Sequence, residues 1–350
     1  MARSGHYHIN YKQEITILNT VNRKLFTTMG IIFSLVLPLL IGNYWLNTLN
    51  FALIAVIGAL GLNILTGLTG LISIGHGAFV AIGAYVAAIL SSYGFSFIFV
   101  FFLTAIITML FGLIVGLPAL RLEGLYLAVS TFVFHFIILY VIAKLSNFTG
   151  GHNGMSIAKP VIGSWVINTQ IEFYYLIIPF IIVLMIFASN IKFRSKLGRA
   201  LVAIRDSDVA ATTMGINLIK YKVLAFGISS FYAGIAGCLF AYLVGFISPD
   251  HFGIEMSIGY LAMLIAGGMG TIPGAVIGAL FISILPEALR MGVNFFNDLI
   301  PQLTSIFALL SQSVYGLIII LFLMYEPKGL YGIWQNIKEK MNAFPYRHSK

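Results

Sequence analysis

Apolar residues run through this chain in long unbroken blocks rather than in alternation with polar ones. No Asp, Glu, Lys or Arg occurs from Leu25 to Leu120, a stretch of 96 residues. Shorter charge-free blocks follow at Leu125–Ala143, Phe173–Ile191, Val223–Pro249, Met256–Pro286 and Leu299–Tyr325. A helix needs about 20 apolar residues to cross the hydrocarbon core of a bilayer. In that medium the backbone must satisfy its own hydrogen bonds, which leaves helices or closed barrels. Barrel strands alternate apolar and polar positions, whereas these blocks are continuous, so they predict helices. Gly, Pro, Asn and Ser divide the chain into spans near residues 25–46, 49–66, 74–92, 95–118, 124–143, 173–191, 223–247 and 304–325. The block 257–289 is too long for one helix. Gly267, Gly268, Gly270, Pro273 and Gly274 divide it into halves of roughly 15 residues. The pattern therefore predicts an all-α polytopic membrane protein of about ten transmembrane helices.

Composition and charge sharpen this picture. Of the 350 residues, 59% are hydrophobic and 9% are charged, against about 25% charged in soluble chains. With the N-terminus placed in the cytoplasm, only Lys144, Lys159 and Arg290 of the 20 Lys and Arg fall outside. Basic residues concentrate on the cytoplasmic side of membrane proteins. The organisation predicted is a cytoplasmic segment 1–24, a transmembrane domain 25–325 that includes the cytoplasmic loop 192–222, and a cytoplasmic tail 326–350, with both termini inside. The lead of 24 residues is too long and mixed for a signal peptide, so the first helix is expected to stay as an anchor. The net charge of +9 then reports topology and attraction to anionic lipid, with no role in binding nucleic acid.

Much chemistry is excluded. A single cysteine, Cys238, leaves no disulfide framework and no cysteine-based zinc site, and the seven His include no pair four residues apart on one helix. The eleven acids are scattered over loops and span ends, and no phosphate-binding Gly-Lys-Ser/Thr loop occurs. No catalytic residues, metal site or bound cofactor are expected. Proton-coupled carriers use intramembrane carboxylates or His relays. Here only His76 and His135 could readily titrate inside a span, and Glu287 is the nearest carboxylate, at an outer end. A sodium site of backbone carbonyls stays open.

Five features bear on function. The stretch GLNILTGLTGLISIGHG, residues 61–77, interleaves five Gly with Asn63, Thr66, Thr69 and Ser73 ahead of His76. Either helices pack closely there or a discontinuous helix lines a substrate path. On the second reading Asn63, Thr66, Ser73 and His76 lie on or beside the path. The break at Gly267–Gly274 faces the same side. The inside loop 192–222 reads KFRSKLGRALVAIRDSDVAATTMGINLIKYK. Leu197, Leu201 and Ile204 recur at helical spacing. Asp206 or Asp208 is expected to cap a second short helix, roughly Val209–Met214, ending at Gly215. Two short amphipathic helices joined at Asp206–Ser207 would suit docking on another protein. The outside loop 144–172 carries TGGHNG, a tight turn that allows close backbone approach, and Trp334 in the tail fits an interfacial helix.

The segments LNILTGLTGLISIGHGAFVAIGAYVAAIL (62–90), TGGHNGM (149–155), GRALVAIRDSDVAATTMGIN (198–217) and YKVLAFGISSFYAGIAGCLFAYLVGFISPDHF (221–252) together resemble the branched-chain amino acid ABC importer permeases, LivM-type rather than LivH-type. The resemblance implies an ABC importer permease fold of the ten-helix cobalamin-importer type, in the plasma (inner) membrane of a bacterium. It implies two ABC ATPase subunits that use the ATP, a second homologous permease subunit and an extracytoplasmic substrate-binding protein as partners. The loop VAATTMG, residues 209–215, matches the family's coupling loop, with Val209 where a Glu is usual. By that likeness Arg205, Asp206, Asp208, Ala211 and Gly215 belong to the surface that meets the ATPase. Leu71 and Ile272-Pro273-Gly274 also depart from the family pattern. Permeases for urea and short amides share the scaffold and stand as the alternative substrate class. An ion-coupled secondary carrier and an intramembrane enzyme are the other readings.

Overall fold

The computed structural model describes residues 34–118, 122, 124–296 and 329–343, with six isolated positions between 313 and 324. The leading segment 1–24, residues 25–33 of the expected span 25–46 and all but six positions of the span 304–325 lie outside the described residues. The helices are α1 (Asn43–Leu62), which continues as a π-turn at Asn63–Gly67, α2 (His76–Ser92), α3 (Phe97–Gly116) and α4 (Leu125–Lys144). They continue with α5 (Gln170–Arg194), α6 (Lys196–Asp206), α7 (Asp208–Thr213), α8 (Leu218–Val244), α9 (Ile254–Gly267), α10 (Ile272–Phe296) and α11 (Gly329–Ala343). Among the described residues, six helices are long and apolar enough to cross a membrane: Asn43–Gly67, α3, α4, α5, α8 and Ile272–Met291 of α10. With the shorter α2 and α9 they occupy eight of the segments that the apolar blocks predict.

The split of block 257–289 is seen, but its halves are unequal. The first is the 14-residue α9 and the second the 25-residue α10. Pro273 sits at the second position of α10, where its missing N–H is no loss. Pro286 lies inside α10 and does not end it, because neighbouring helices and local adjustments re-satisfy the freed backbone groups in a membrane helix. The helix runs on past Glu287, whose carboxylate accepts a hydrogen bond from the Tyr44 hydroxyl at the start of α1.

Two helices form the interior. Of the most apolar windows, 72% is buried in the α1 segment and in α8, against 28–39% in α3, α4, α5 and α10. α8 packs on α3, α2 and α1, while α10 packs on α1 and α9. In lipid no hydrophobic force separates helix from solvent, so association depends on close packing of small residues. α8 supplies them. A Cβ on Gly237 would lie 2.1 Å from the Val80 carbonyl oxygen of α2, and one on Gly83 would lie 2.6 Å from the Gly234 carbonyl oxygen. Thr108 of α3 fills the other side of Gly234.

At the end of the helices away from α6 and α7, the 149–156 turn closes against the segment that follows α8. Strand β1 (Met155–Ser156) pairs antiparallel with β4 (Phe246–Ile247), and β2 (Val161–Ile162) pairs with β3 (Trp165–Val166). A Cβ on Gly154 would lie 2.3 Å from the Ile247 carbonyl oxygen. This is the close backbone approach that three glycines in six residues imply.

Candidate coupling and transport site

The polar stretch 61–77 is interrupted. The π-turn passes into one more short helical piece, residues 70–75 are non-helical, and α2 begins at His76. His76 Nε2 lies 2.9 Å from the Gly58 carbonyl oxygen of α1. Gly58 is nine residues before Gly67, about 13 Å along the helix. The non-helical segment therefore turns back into the apolar layer. Such backbone is tolerated at membrane depth only where protein or a water-filled cavity takes its polar groups. Here hydroxyls take them. The Leu71 carbonyl accepts from Thr66 Oγ1 at 3.0 Å, Ile74 N donates to Thr131 Oγ1 at 3.0 Å and Gly77 N to Ser257 Oγ at 2.8 Å. Thr66 and Thr69 of the stretch are thus explained as backbone support, whereas Ser73 is not.

All four path candidates are buried in this arrangement: Asn63, Thr66, Ser73 and His76. Thr66 and His76 bond to backbone carbonyls of the chain itself. Among the described residues, Ser73 Oγ and His76 Nδ1 are buried without a hydrogen-bond partner, as is Nε2 of His135, whose Nδ1 is 3.3 Å from Ser257 Oγ. His76 also packs edge-on against Tyr260. Asn63 is different, because both ends of its amide reach the second break. Its Nδ2 donates to the Thr271 carbonyl at 3.0 Å, and its Oδ1 accepts from Gly270 N at 2.8 Å. Gly67 permits this contact, since a Cβ there would lie 2.6 Å from Gly270 N.

The 195–217 loop meets the same place. Both short helices form, joined at Ser207. Two details differ from expectation. The cap of α7 is Ser207, whose side chain accepts from Ala210 N, rather than Asp206 or Asp208. The helix covers Asp208–Thr213, one residue earlier than the spacing predicts. Serine reaches its own N3 amide from the extended conformation, and this leaves Asp208 free to turn toward α8. There its carboxylate pairs with Lys222 Nζ, a lysine side chain 4% exposed. Gly215 has φ +79°, the left-handed helix end that its position implies.

The loop residues divide into two groups. Arg205 donates from Nη1 to the Gly67 carbonyl at 2.9 Å, and Ala211 is buried against the chain. Asp206 and Gly215 are exposed, and so are Val209 (75%) and Met214 (79%), two apolar side chains in water. These last two are the exposed apolar residues of the loop that sequence reasoning missed. The Val209 position was legible only as a departure from a family pattern. Lys192 was also missed: its ammonium donates to the Gly270 carbonyl.

A family model described as the permease component of branched-chain amino acid transport systems matches residues 44–323. The high-affinity branched-chain amino acid transport system permease protein LivM of Salmonella typhimurium is 31% identical over 336 residues, covering 89% of this chain and 76% of that protein. LivM of Escherichia coli matches at the same identity and coverage. LivH of Escherichia coli is 27% identical over 258 residues, covering 67% of this chain and 80% of its own length. No solved structure matches. With four-fifths of its length under the family model and a long relative above 30% identity, the chain belongs to the permease component family of branched-chain amino acid transport systems.

Proposed function

We propose that the chain is the membrane-spanning permease subunit of an ATP-driven ABC importer that moves branched-chain amino acids inward. It spans the plasma membrane of a bacterium about ten times, with both termini in the cytoplasm and a fold of the cobalamin-importer type. A second permease subunit related to LivH pairs with it, two ATPase subunits supply the energy, and an extracytoplasmic binding protein delivers substrate. The observation that carries this reading is the 195–217 loop. It projects two short helices, presents Val209 and Met214 to a partner, and makes direct contact with both chain breaks through Arg205 and its neighbours. Asp206 lies at its charged rim, where charge adds orientation and specificity more than affinity. The path runs beside the 61–77 interruption. The unpartnered Ser73 Oγ and His76 Nδ1 are the polar atoms there that a substrate could engage once the segment moves.

Reconstituting the purified chain with its partner permease, ATPases and binding protein in liposomes tests this directly. Leucine uptake should require both ATP and the binding protein, and excess urea should not compete. Leucine uptake driven by a sodium or proton gradient without ATP would replace the reading with an ion-coupled carrier.

A further inference from the structure

We infer that Arg205 is a positioning residue of the transport step, tying the cytoplasmic loop to both chain breaks so that the two move together. The inference rests on the reading of residues 198–217 as the ATPase-coupling loop. Three contacts of Arg205 carry it, with three hydrogen bonds of Asn63 and Lys192 beside them. The Arg205 guanidinium donates to the Gly67 carbonyl at the end of the π-turn. The Arg205 stem lies along the start of the interrupted segment, since a Cβ on Gly70 would be 3.4 Å from Arg205 Cγ. The same guanidinium lies beside the second break, since a Cβ on Gly270 would be 2.8 Å from Arg205 Nη1. Asn63 and Lys192 complete the junction by holding Gly270 and Thr271 from the opposite sides.

The chemistry suits a link that must be firm yet reversible. Carbonyls at a helix C-terminus lack intrahelical partners and attract cations. Arg205, exposed in the last turn of α6, occupies one such site with a planar, permanently charged fork. α6 is itself anchored, because Leu201 and Ile204 are buried. A displacement of α6 therefore carries the guanidinium with it. Gly70 and Gly270, with φ +73° and +76°, are the points where the two breaks can bend. The bonds end on backbone groups, so they constrain chain position without fixing side-chain identity. A loop that merely covered the breaks would need none of them.

The test uses the complete transporter in liposomes, with radiolabelled leucine as the probe and ATP hydrolysis measured on the same vesicles. Arg205→Met keeps the stem and deletes the donors. Uptake should fall more than hydrolysis, raising the ATP consumed per leucine by about tenfold, within the usual range of coupling effects. Lys192→Met should raise the same ratio by a smaller factor, and Arg205→Lys should restore most of it. A purely structural role would lower the yield of intact complex and leave the ratio alone. An unchanged ratio in intact Arg205→Met complexes overturns the link while leaving the importer reading standing. Parallel loss of hydrolysis and uptake assigns Arg205 to ATPase docking and also overturns it. A wild-type complex that takes up no leucine on ATP removes the importer reading, and the link with it.

Discussion

Lys222 lies near the start of α8 with its side chain almost wholly out of water, and Asp208 is the carboxylate it meets. Removing one member of a buried ion pair is costly, whereas replacing the whole pair by apolar groups is often neutral. Asp208 is itself 29% exposed, so Asp208→Ala should lower stability by about 3 kcal/mol, the low end for a pair broken on one side, seen as a drop in the thermal midpoint of the detergent-solubilised protein. The double variant Asp208→Ala with Lys222→Met should recover most of the loss. A single variant that melts with the wild type would show that the pair contributes nothing. Residue-level reading succeeded where a local rule governs the position. Gly215 was legible because a helix of this kind ends in a left-handed residue. Asn63 was legible as polar but not as a clasp, because its partners lie 207 and 208 residues further along the chain. Ala211 looked like part of a docking surface and is buried, because a six-residue helix is too short for its spacing to define a face.

At the level of elements, α8 is held by contacts that admit no side chain. A Cβ on Gly237 would meet the Val80 carbonyl and lie 2.8 Å from Ala84 N, both on the rigid backbone of α2. Gly237→Val should force α8 and α2 apart, at a cost of about 1–3 kcal/mol or more for an overpacked site, and should broaden the size-exclusion peak of the solubilised protein. Gly42→Ala is the matched control. No atom lies within 4 Å of a Cβ there and its φ is −66°, so the profile should not change. Normal behaviour of Gly237→Val would mean that the two helices are not in this contact. The helices themselves were legible because continuous apolar runs leave the backbone no other solution in lipid. Their ends were less so. Rules learned in water treat Pro286 as a place to stop, but the intramembrane environment carries α10 through it to Phe296.

For the molecule as a whole, the sequence places both breaks and the 195–217 loop on one side, and the contacts of Arg205 with Gly67 and Gly270 join them at one end. The burial of α8 at the centre was not legible from hydropathy, which scores lipid-facing and protein-facing apolar residues alike. Topology can be read by cysteine labelling in a Cys238→Ala background, because Cys238 is buried and its removal leaves no native thiol. A cysteine at exposed Asn153 should react with a membrane-impermeant maleimide added outside. One at exposed Asn336 should react only after the membrane is opened, and labelling of Asn336 from outside would invert the proposed orientation. The extended segment 70–75 has a last consequence, which is electrical. The backbone groups of Leu71 and the Ile74 amide are taken by threonine hydroxyls of the protein, so at these points the bend does not call for water. In a membrane that stores energy as voltage, each group so held is one point fewer at which water, and with it a proton, has to enter the bilayer.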